Sequence, residues 1–432
     1  MPEAHRTASI LAIGDELTLG QTLDTNSPLI SRRLSELGVV VIEHATVEDD
    51  LDRIAATIAR LASESDLLVI TGGLGPTADD LTRDALARAM NDQLVRDEAA
   101  LSRLEAWFAR KGRSMPERNR VQANRPSRGR CVTNEHGTAP GIAAELGPCD
   151  VWCLPGPPRE LVPMFEREIA PSVRPLPGRV IRTRTLPTFG LGESIVAERL
   201  GELMDRARNP MVGTTASKGV VTCRLRYDAR GTDDDATRAL DACEASIRDR
   251  LGPAVLRTGG ASESLVEVTA ELLRARGDTV CTVESCTGGL LGAALTELAG
   301  SSAFYAGGFV TYTNDLKTRL AGVDPETLAA HGAVSAPVAR AMALGGLERT
   351  GADHALGITG IAGPGGGSDS KPVGTVWIAR ASAAGSTDIR RFVFSGDRDA
   401  VRAWSWRTAL GMLRLPLVDA DMPLLGEMER TA

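Results

Sequence analysis

Lysine is scarce in this sequence: of 49 basic residues only four are lysine (Lys111, Lys218, Lys317 and Lys371), and the other forty-five are arginine. Arginine therefore carries the ordinary solvated positive charge, and each lysine is a candidate for a particular task. Cysteine is also sparse, seven residues spread from Cys131 to Cys286. Cys149 and Cys153 lack a second pair at zinc-ribbon spacing, so the thiols read as reduced. No run approaches the roughly 18 apolar residues of a membrane helix, and the polar start, Met1 to Thr7, leads straight into a strand-like stretch. Neither signal peptide nor membrane span is predicted, and a cytoplasmic location is. A net charge of −7 supplies no basic field for a nucleic-acid backbone, so no direct nucleic-acid partner is expected. Tandem repeats and low-complexity tracts are missing too.

What is present is a long globular chain: 432 residues, 43% apolar and 24% charged, enough for several cores. Short apolar runs alternate with helical periodicity. Ser9–Ile13, Val39–Ile42 and Leu67–Ile70 read as strands; Pro28–Leu37, Leu51–Leu61 and Asp80–Met90 read as helices. Proline-rich 171–177 marks one boundary and 256–262 a second. Between them lie strands at Val180–Leu186 and Val220–Tyr227 and helices at Glu193–Met204 and Ala236–Arg250. Beyond them, a Ser264–Glu267 capping box opens a helix to Arg276, and a last helix spans Asp399–Leu413. The expected fold class is α/β: two three-layer α/β domains with mostly parallel sheets, joined by a small α+β domain. The expected boundaries are 1–175, 176–257 and 258–415, followed by a loose tail, 416–432.

Ligands of such sheets sit at the carboxyl ends of the strands. In the first domain those ends carry Gly14-Asp15-Glu16 and the loop Thr71 to Thr82, in which Gly73, Gly75, Thr77 and Thr82 suit a phosphate at a helix amino terminus. The loop matches neither the Rossmann fingerprint nor a P-loop. Asp79 and Asp80 are explained by helix capping alone, or, with Asp15 and Asp24, as oxygen ligands of a divalent ion. The loops 134–141 and 155–160 read as turns unless they reach the same strand ends.

Gly-Asp-Glu-Leu, Asp24-Thr25-Asn26, Gly-Gly-Leu-Gly-Pro-Thr-x-Asp-Asp and Pro-Gly-Pro-Pro together resemble the molybdopterin-binding fold and, more specifically, the CinA family of competence/damage-inducible proteins. The likeness spans residues 7–415. It implies a metal-dependent ADP-ribose pyrophosphatase in the first domain, with Asn26 among its ligand contacts. It implies a nicotinamide mononucleotide deamidase in the last domain that needs no cofactor. A homodimer is expected. The rival reading is a non-catalytic pterin- or nucleotide-binding assembly factor.

Four clusters of the last domain can serve metal-free amide hydrolysis: Glu284 to Gly289, Gly300 to Ser302, Thr311 to Lys317, and Gly357 to Ser368, with Arg398 further on. There is no zinc-deaminase signature, and His331 and His354 fall at positions better suited to structure. Cys286 lacks an evident base. That leaves serine and lysine. The preferred dyad is Ser302 with Lys317, whose amine must lose its proton near neutral pH. Ser285 then supplies substrate or oxyanion contacts and Tyr312 a proton relay, and the resemblance adds Thr359 and Arg398. Thr287, Gly288, Gly289, Asn314, Gly360 and Gly363 are the expected substrate contacts.

Overall fold

The fold is described from a computed structural model covering residues 4–217, 219–256 and 264–431. The predicted boundary at 256–262 and Lys218 therefore lie almost wholly outside the described residues. By packing, the chain forms two compact units, residues 1–183 with 227–238, and residues 184–226 with 239–432.

The first unit is built on β1 (Thr7–Ile13), β2 (Val40–Val47), β3 (Leu67–Thr71), β4 (Arg130–Val132), β5 (Gly141–Leu146) and β6 (Cys149–Leu154). Their order is β2-β1-β3-β6-β5-β4, parallel through β6 and antiparallel beyond it. Every residue of β3 is buried, because alternate side chains feed two cores. Leu68 and Ile70 meet Ile54 and Ile58 of α2 (Leu51–Glu64), together with Leu86 of α3 (Thr82–Ala89). Leu67 and Val69 meet Ile30 and Leu34 of α1 (Asn26–Glu36) on the opposite face. A further helix, α4 (Glu98–Arg110), is capped by Asp97. The parallel pairing brings the carboxyl ends of β1, β3 and β6 to one edge.

A three-stranded sheet follows: β7 (Arg179–Phe189), β8 (Met211–Ser217) and β9 (Val220–Arg230), in the order β8-β9-β7. Helices α5 (Glu193–Leu200) and α6 (Asp233–Leu251) accompany it.

In the carboxyl-terminal part, β10 (Val280–Glu284), β11 (Tyr305–Val310), β12 (His354–Gly360), β13 (Thr375–Ser382), β14 (Thr387–Val393) and β15 (Glu427–Thr431) run in the order β11-β10-β12-β13-β14-β15. β10 pairs in parallel with β11 and β12, and the remaining pairs are antiparallel. α7 (Leu265–Arg276) begins at the predicted capping box, where both hydrogen bonds form. It packs with α8 (Leu290–Thr296) and α11 (Arg398–Leu417) over one sheet face, while α10 (Ala336–Thr350) covers the other; α9 (Asn314–Ala321) lies before α10 in the chain.

The expectation of a loose tail is corrected. α11 runs on to Leu417, and β15 adds an antiparallel strand to β14. The cause is electrostatic: the Arg390 guanidinium, 1% exposed, binds Asp388, Asp421 and Glu427, so two of its three carboxylate partners come from the tail. Leu425 also donates its N–H to the Gly190 carbonyl at 2.8 Å, which makes the Gly190-Leu191-Gly192 loop a packing surface for the tail.

Candidate active sites

In the carboxyl-terminal part, β10 ends at Glu284 and the chain turns through Ser285 to Gly289 into α8. The Glu284 carboxylate is 1% exposed and accepts the N–H groups of Gly289 at 3.0 Å, Leu291 at 3.1 Å and Gly292 at 2.9 Å. A side chain has thus already consumed the helix amino terminus. Gly289, expected to contact substrate, spends its amide on Glu284 instead. The Ser285 N–H is pinned to the Ile358 carbonyl of β12 at 3.0 Å, which fixes the turn against the sheet.

Lys317 lies on the first turn of α9, 1% exposed. Its Nζ is 3.0 Å from Ser285 Oγ, 2.9 Å from the Thr311 carbonyl oxygen and 3.4 Å from that of Tyr312. All three contacts are neutral oxygens. Burial holds the ammonium below its ordinary pKa, opposed only by the neighbouring Cys286. Two carbonyls can accept the two N–H bonds of a neutral amine, which leaves its lone pair for the hydroxyl proton of Ser285.

The Ser302–Lys317 pairing is therefore corrected. Ser302 is exposed on a short 3-10 turn before β11, and β11 runs parallel to β10 with Tyr305 beside Val280 and Val310 beside Glu284. Ser302 stands at the amino edge of the sheet and Lys317 at the carboxyl edge, about 17 Å apart by strand rise alone. Ser285 takes its place beside the amine. Cys286 is packed in the core, and burial pushes its thiol up to about 12. His354 begins β12 and meets Asp278 at 3.2 Å, at the edge remote from Ser285.

Arg398, at the start of α11, donates to the Gly363 carbonyl at 2.8 Å and to Tyr312 Oη at 3.1 Å, tying the glycine loop to the Lys317 segment. Tyr312 meets Lys317 through its carbonyl, and its hydroxyl is held by Arg398, so the expected relay contact is not formed. Thr359 is buried, with its hydroxyl on the Ala333 carbonyl at 2.8 Å, and Gly360 is packed against Thr375 and Val376. Asn314 is exposed one turn before Lys317. Thr287 is fully buried, and its carbonyl accepts from Arg402 at 3.1 Å, while Gly288 turns its N–H back to the Ser285 carbonyl. Glu284 and Thr311 open two of the expected clusters without a role of their own in the sequence reading, and Arg402 is not among the expected residues. Arg402 had a signal, standing one helical turn after Arg398 on the same face.

In the first unit a cavity of 570 Å³ opens at the strand ends, lined by Glu16, Asp24, Asn26, Asp49, Gly72 to Thr77, Asp79, Asp80, Thr138, Pro155 to Pro158 and Glu160, among others. The loops that read as turns do reach it. Asn26 Nδ2 joins them, donating to Thr71 Oγ1 at 2.9 Å and to the Gly156 carbonyl at 2.7 Å. Gly72 and Gly73 hold φ near +103° and +62°, and a Cβ would overlap the Ile13 carbonyl oxygen at the first and the Thr82 hydroxyl at the second. Only glycine lets the loop lie flat there.

Beneath this loop Arg83 is 2% exposed and donates to the carbonyls of Leu74 at 2.8 Å and Gly75 at 2.7 Å. Burial lowers its pKa. A buried guanidinium bonded to loop carbonyls places positive charge under the cavity floor.

Several expected ligands are corrected here. α3 starts at Thr82, after the aspartate pair. Asp80 accepts from the Gly75 N–H at 2.6 Å, the Thr77 N–H at 2.8 Å and the Thr77 hydroxyl, so its oxygens brace the loop. Asp24 accepts the Asn26 and Ser27 N–H groups, both at 3.0 Å, and stabilises the start of α1. Thr82 is buried, with its hydroxyl on the Gly72 carbonyl at 2.8 Å. Asp15 is not among the lining residues; it and Asp49 exchange backbone-to-carboxylate bonds, each 3.0 Å. Asp49, not foreseen, does line the cavity. Burial pushes its carboxyl up; the Asp15 N–H opposes this, while the charges of Asp15, Glu16 and Asp79 add to it.

These features define a chain that joins an α/β domain with a glycine-rich loop at its strand ends to a second α/β domain with a serine–lysine pair. Residues 9–175 match the family described as "Probable molybdopterin binding domain", 183–256 the "Damage-inducible protein CinA KH domain", and 262–417 the "CinA C-terminal domain". The CinA-like protein of Geobacter sulfurreducens is 42% identical over 413 residues, covering 95% of this chain and 99% of that one. The CinA-like protein of Dictyoglomus thermophilum is 39% identical over 411 residues, with 95% and 99% coverage. The chain belongs to the CinA family. Among solved structures, the competence/damage-inducible protein CihA of Agrobacterium tumefaciens is 44% identical over 37% of this chain and 100% of its own, with a TM-score of 0.35.

Proposed function

We propose that the carboxyl-terminal site is an amidohydrolase that converts nicotinamide mononucleotide and water to nicotinate mononucleotide and ammonia. The observation that carries this reading is the buried Lys317 Nζ at 3.0 Å from Ser285 Oγ, surrounded by neutral oxygens. Neutral Lys317 takes the hydroxyl proton as Ser285 Oγ bonds to the carboxamide carbon. Stabilisation of the developing oxyanion falls to the turn that follows Ser285, ahead of the N–H groups consumed by Glu284. The carbon–nitrogen bond then breaks, and the Lys317 ammonium returns its proton to the departing ammonia. Water, deprotonated by the same amine, cleaves the ester and restores the serine. Arg398 and the Gly363 segment bind the 5′-phosphate. Ammonia release from purified full-length protein tests the reaction, and folded protein giving none above background would remove it.

For the first unit we propose ADP-ribose hydrolysis to AMP and ribose 5-phosphate. The Gly72–Thr77 loop over Arg83 suits a pyrophosphate. Among the described residues no three His, Cys, Asp or Glu side chains form a ready metal cage. The carboxylates of Asp49, Glu16 and Asp79, which line one cavity with the glycine loop, nevertheless fit an ion that would be held by one or two of them and otherwise by the ligand's phosphates. Such an ion would supply Lewis-acid polarisation of a phosphoryl oxygen. Turnover at full rate in chelator would contradict the assignment.

A further inference from the structure

A second cavity of the first unit, 480 Å³, is lined by Trp107, Lys111, Arg113, His136 and Arg159. That volume lies within the range of small-molecule pockets, about 300–1,000 Å³. Its composition is the reverse of the glycine-loop cavity, which carries six carboxylates, because no acidic side chain lines it. In a chain of net charge −7, three guanidinium or ammonium groups and an imidazole surround one indole.

Among the described residues little neutralises them. Arg159 comes no nearer than 3.9 Å to Glu160, whose carboxylate also accepts from Asn134 at 2.8 Å. Lys111 stands 5.9 Å from the Trp107 ring centroid, an attraction that leaves its charge in place. Lys111 is also one of the four lysines in a chain that prefers arginine.

The setting is built from several elements. Trp107 comes from α4, and Lys111 and Arg113 from the turn that ends it, where Gly112 adopts φ near +67°. His136 belongs to the 134–141 loop, with its N–H on Asn134 Oδ1 at 3.0 Å, and Arg159 follows the Pro155–Pro158 wall of the glycine-loop cavity. A third cavity, 550 Å³, shares Thr138 with the glycine-loop cavity and Trp107 with the basic one, so the three are neighbours along one surface.

A flat aromatic face beside converging cations recognises a ligand with a planar heterocycle and a phosphate. We infer that the Trp107 cavity is a binding site for a nucleoside monophosphate, separate from the glycine-loop cavity. The ring lies against the indole, and the phosphate meets Lys111, Arg113 and Arg159. Neither half of such a ligand satisfies the site alone. The inference holds whichever bond the glycine-loop cavity cleaves, and stands if ADP-ribose is not turned over.

Calorimetric titration of the full chain with AMP, adenosine and inorganic phosphate tests it. AMP is expected to bind, with adenosine and phosphate each weaker by about tenfold or more, since each loses one of the two contacts. Trp107→Leu and, separately, Arg159→Gln should weaken AMP by about tenfold, a stacking or charge contact each. Asn26→Ala, in the other cavity, should leave this class of binding in place. Arg159→Gln alters an exposed side chain, so its loss of binding cannot be put down to unfolding. The inference is overturned if no AMP binds, if both cavity variants bind it as the unaltered chain does, or if Asn26→Ala alone abolishes binding. A single-stranded oligonucleotide that binds more tightly than AMP through the same residues would overturn the small-ligand assignment.

Discussion

The two sites use charge in opposite ways. At the serine–lysine pair, the carboxylate, Glu284, is spent on three backbone N–H groups and the cation is buried among neutral oxygens. A cation without a counter-ion in a dry place is driven to release its proton, which makes it a base. At the glycine-loop cavity the acids are many, from exposed Glu16 and Asp79 to buried Glu160, while the buried cation is an arginine, whose intrinsic pKa is too high for it to act as a base. Arg83 can therefore attract anions and cannot move protons. On the proposed reading, burial of a cation serves proton transfer in one unit and anion binding in the other, and the residue type decides which.

Exchanging the residues of the first site breaks this comparison most sharply. Lys317→Met should lower ammonia release by about a hundredfold to ten-thousandfold, the usual worth of a general base. Ser285→Ala should do at least as much, and Ser302→Ala, at the far sheet edge, should leave the rate unchanged; steady-state assays of the three separate the serines. Arg83→Met should weaken inorganic pyrophosphate binding by about tenfold in titration calorimetry, while Arg83→Lys retains part of it through its charge. The loss also removes the Arg83 donor from the Gly75 carbonyl and leaves that of Leu74 with Gln122 Nε2 at 3.4 Å, an expected cost of about 1–3 kcal/mol read by denaturant unfolding.

A smaller effect concerns pH. The folded pKa of Lys317 is depressed, so between that value and the unfolded value of about 10.4 the unfolded chain binds more protons and stability rises with pH. Deamidation should rise through the same lower limit, as the amine becomes free. Lys317→Met should flatten both profiles, and a melting series across pH, beside the rate profile, checks the sign.

Much of this was legible in the residues. The βα alternation, the α7 capping box and the importance of Lys317 in an arginine-rich chain all follow from local pattern. Which serine faces the lysine does not, because Ser285 and Ser302 lie at opposite ends of neighbouring parallel strands, and only the strand register distinguishes them. Asp80, Asp24 and Thr82 carry the residue types of a ligand shell, yet each bonds to backbone within its own loop or helix start, a competition that spacing does not reveal. The tail appeared loose because its periodicity is weak. Its order comes from Asp421 and Glu427 meeting Arg390, a contact more than thirty residues away in the chain.

The pairing of Ser285 with an unprotonated Lys317 is tested most directly by acid-quenching the enzyme during turnover of nicotinamide mononucleotide and mapping its peptides by mass. An acyl adduct on Ser285, absent from Lys317→Met, is the expected result. An adduct on Ser302, or an undiminished adduct without the lysine amine, would contradict it.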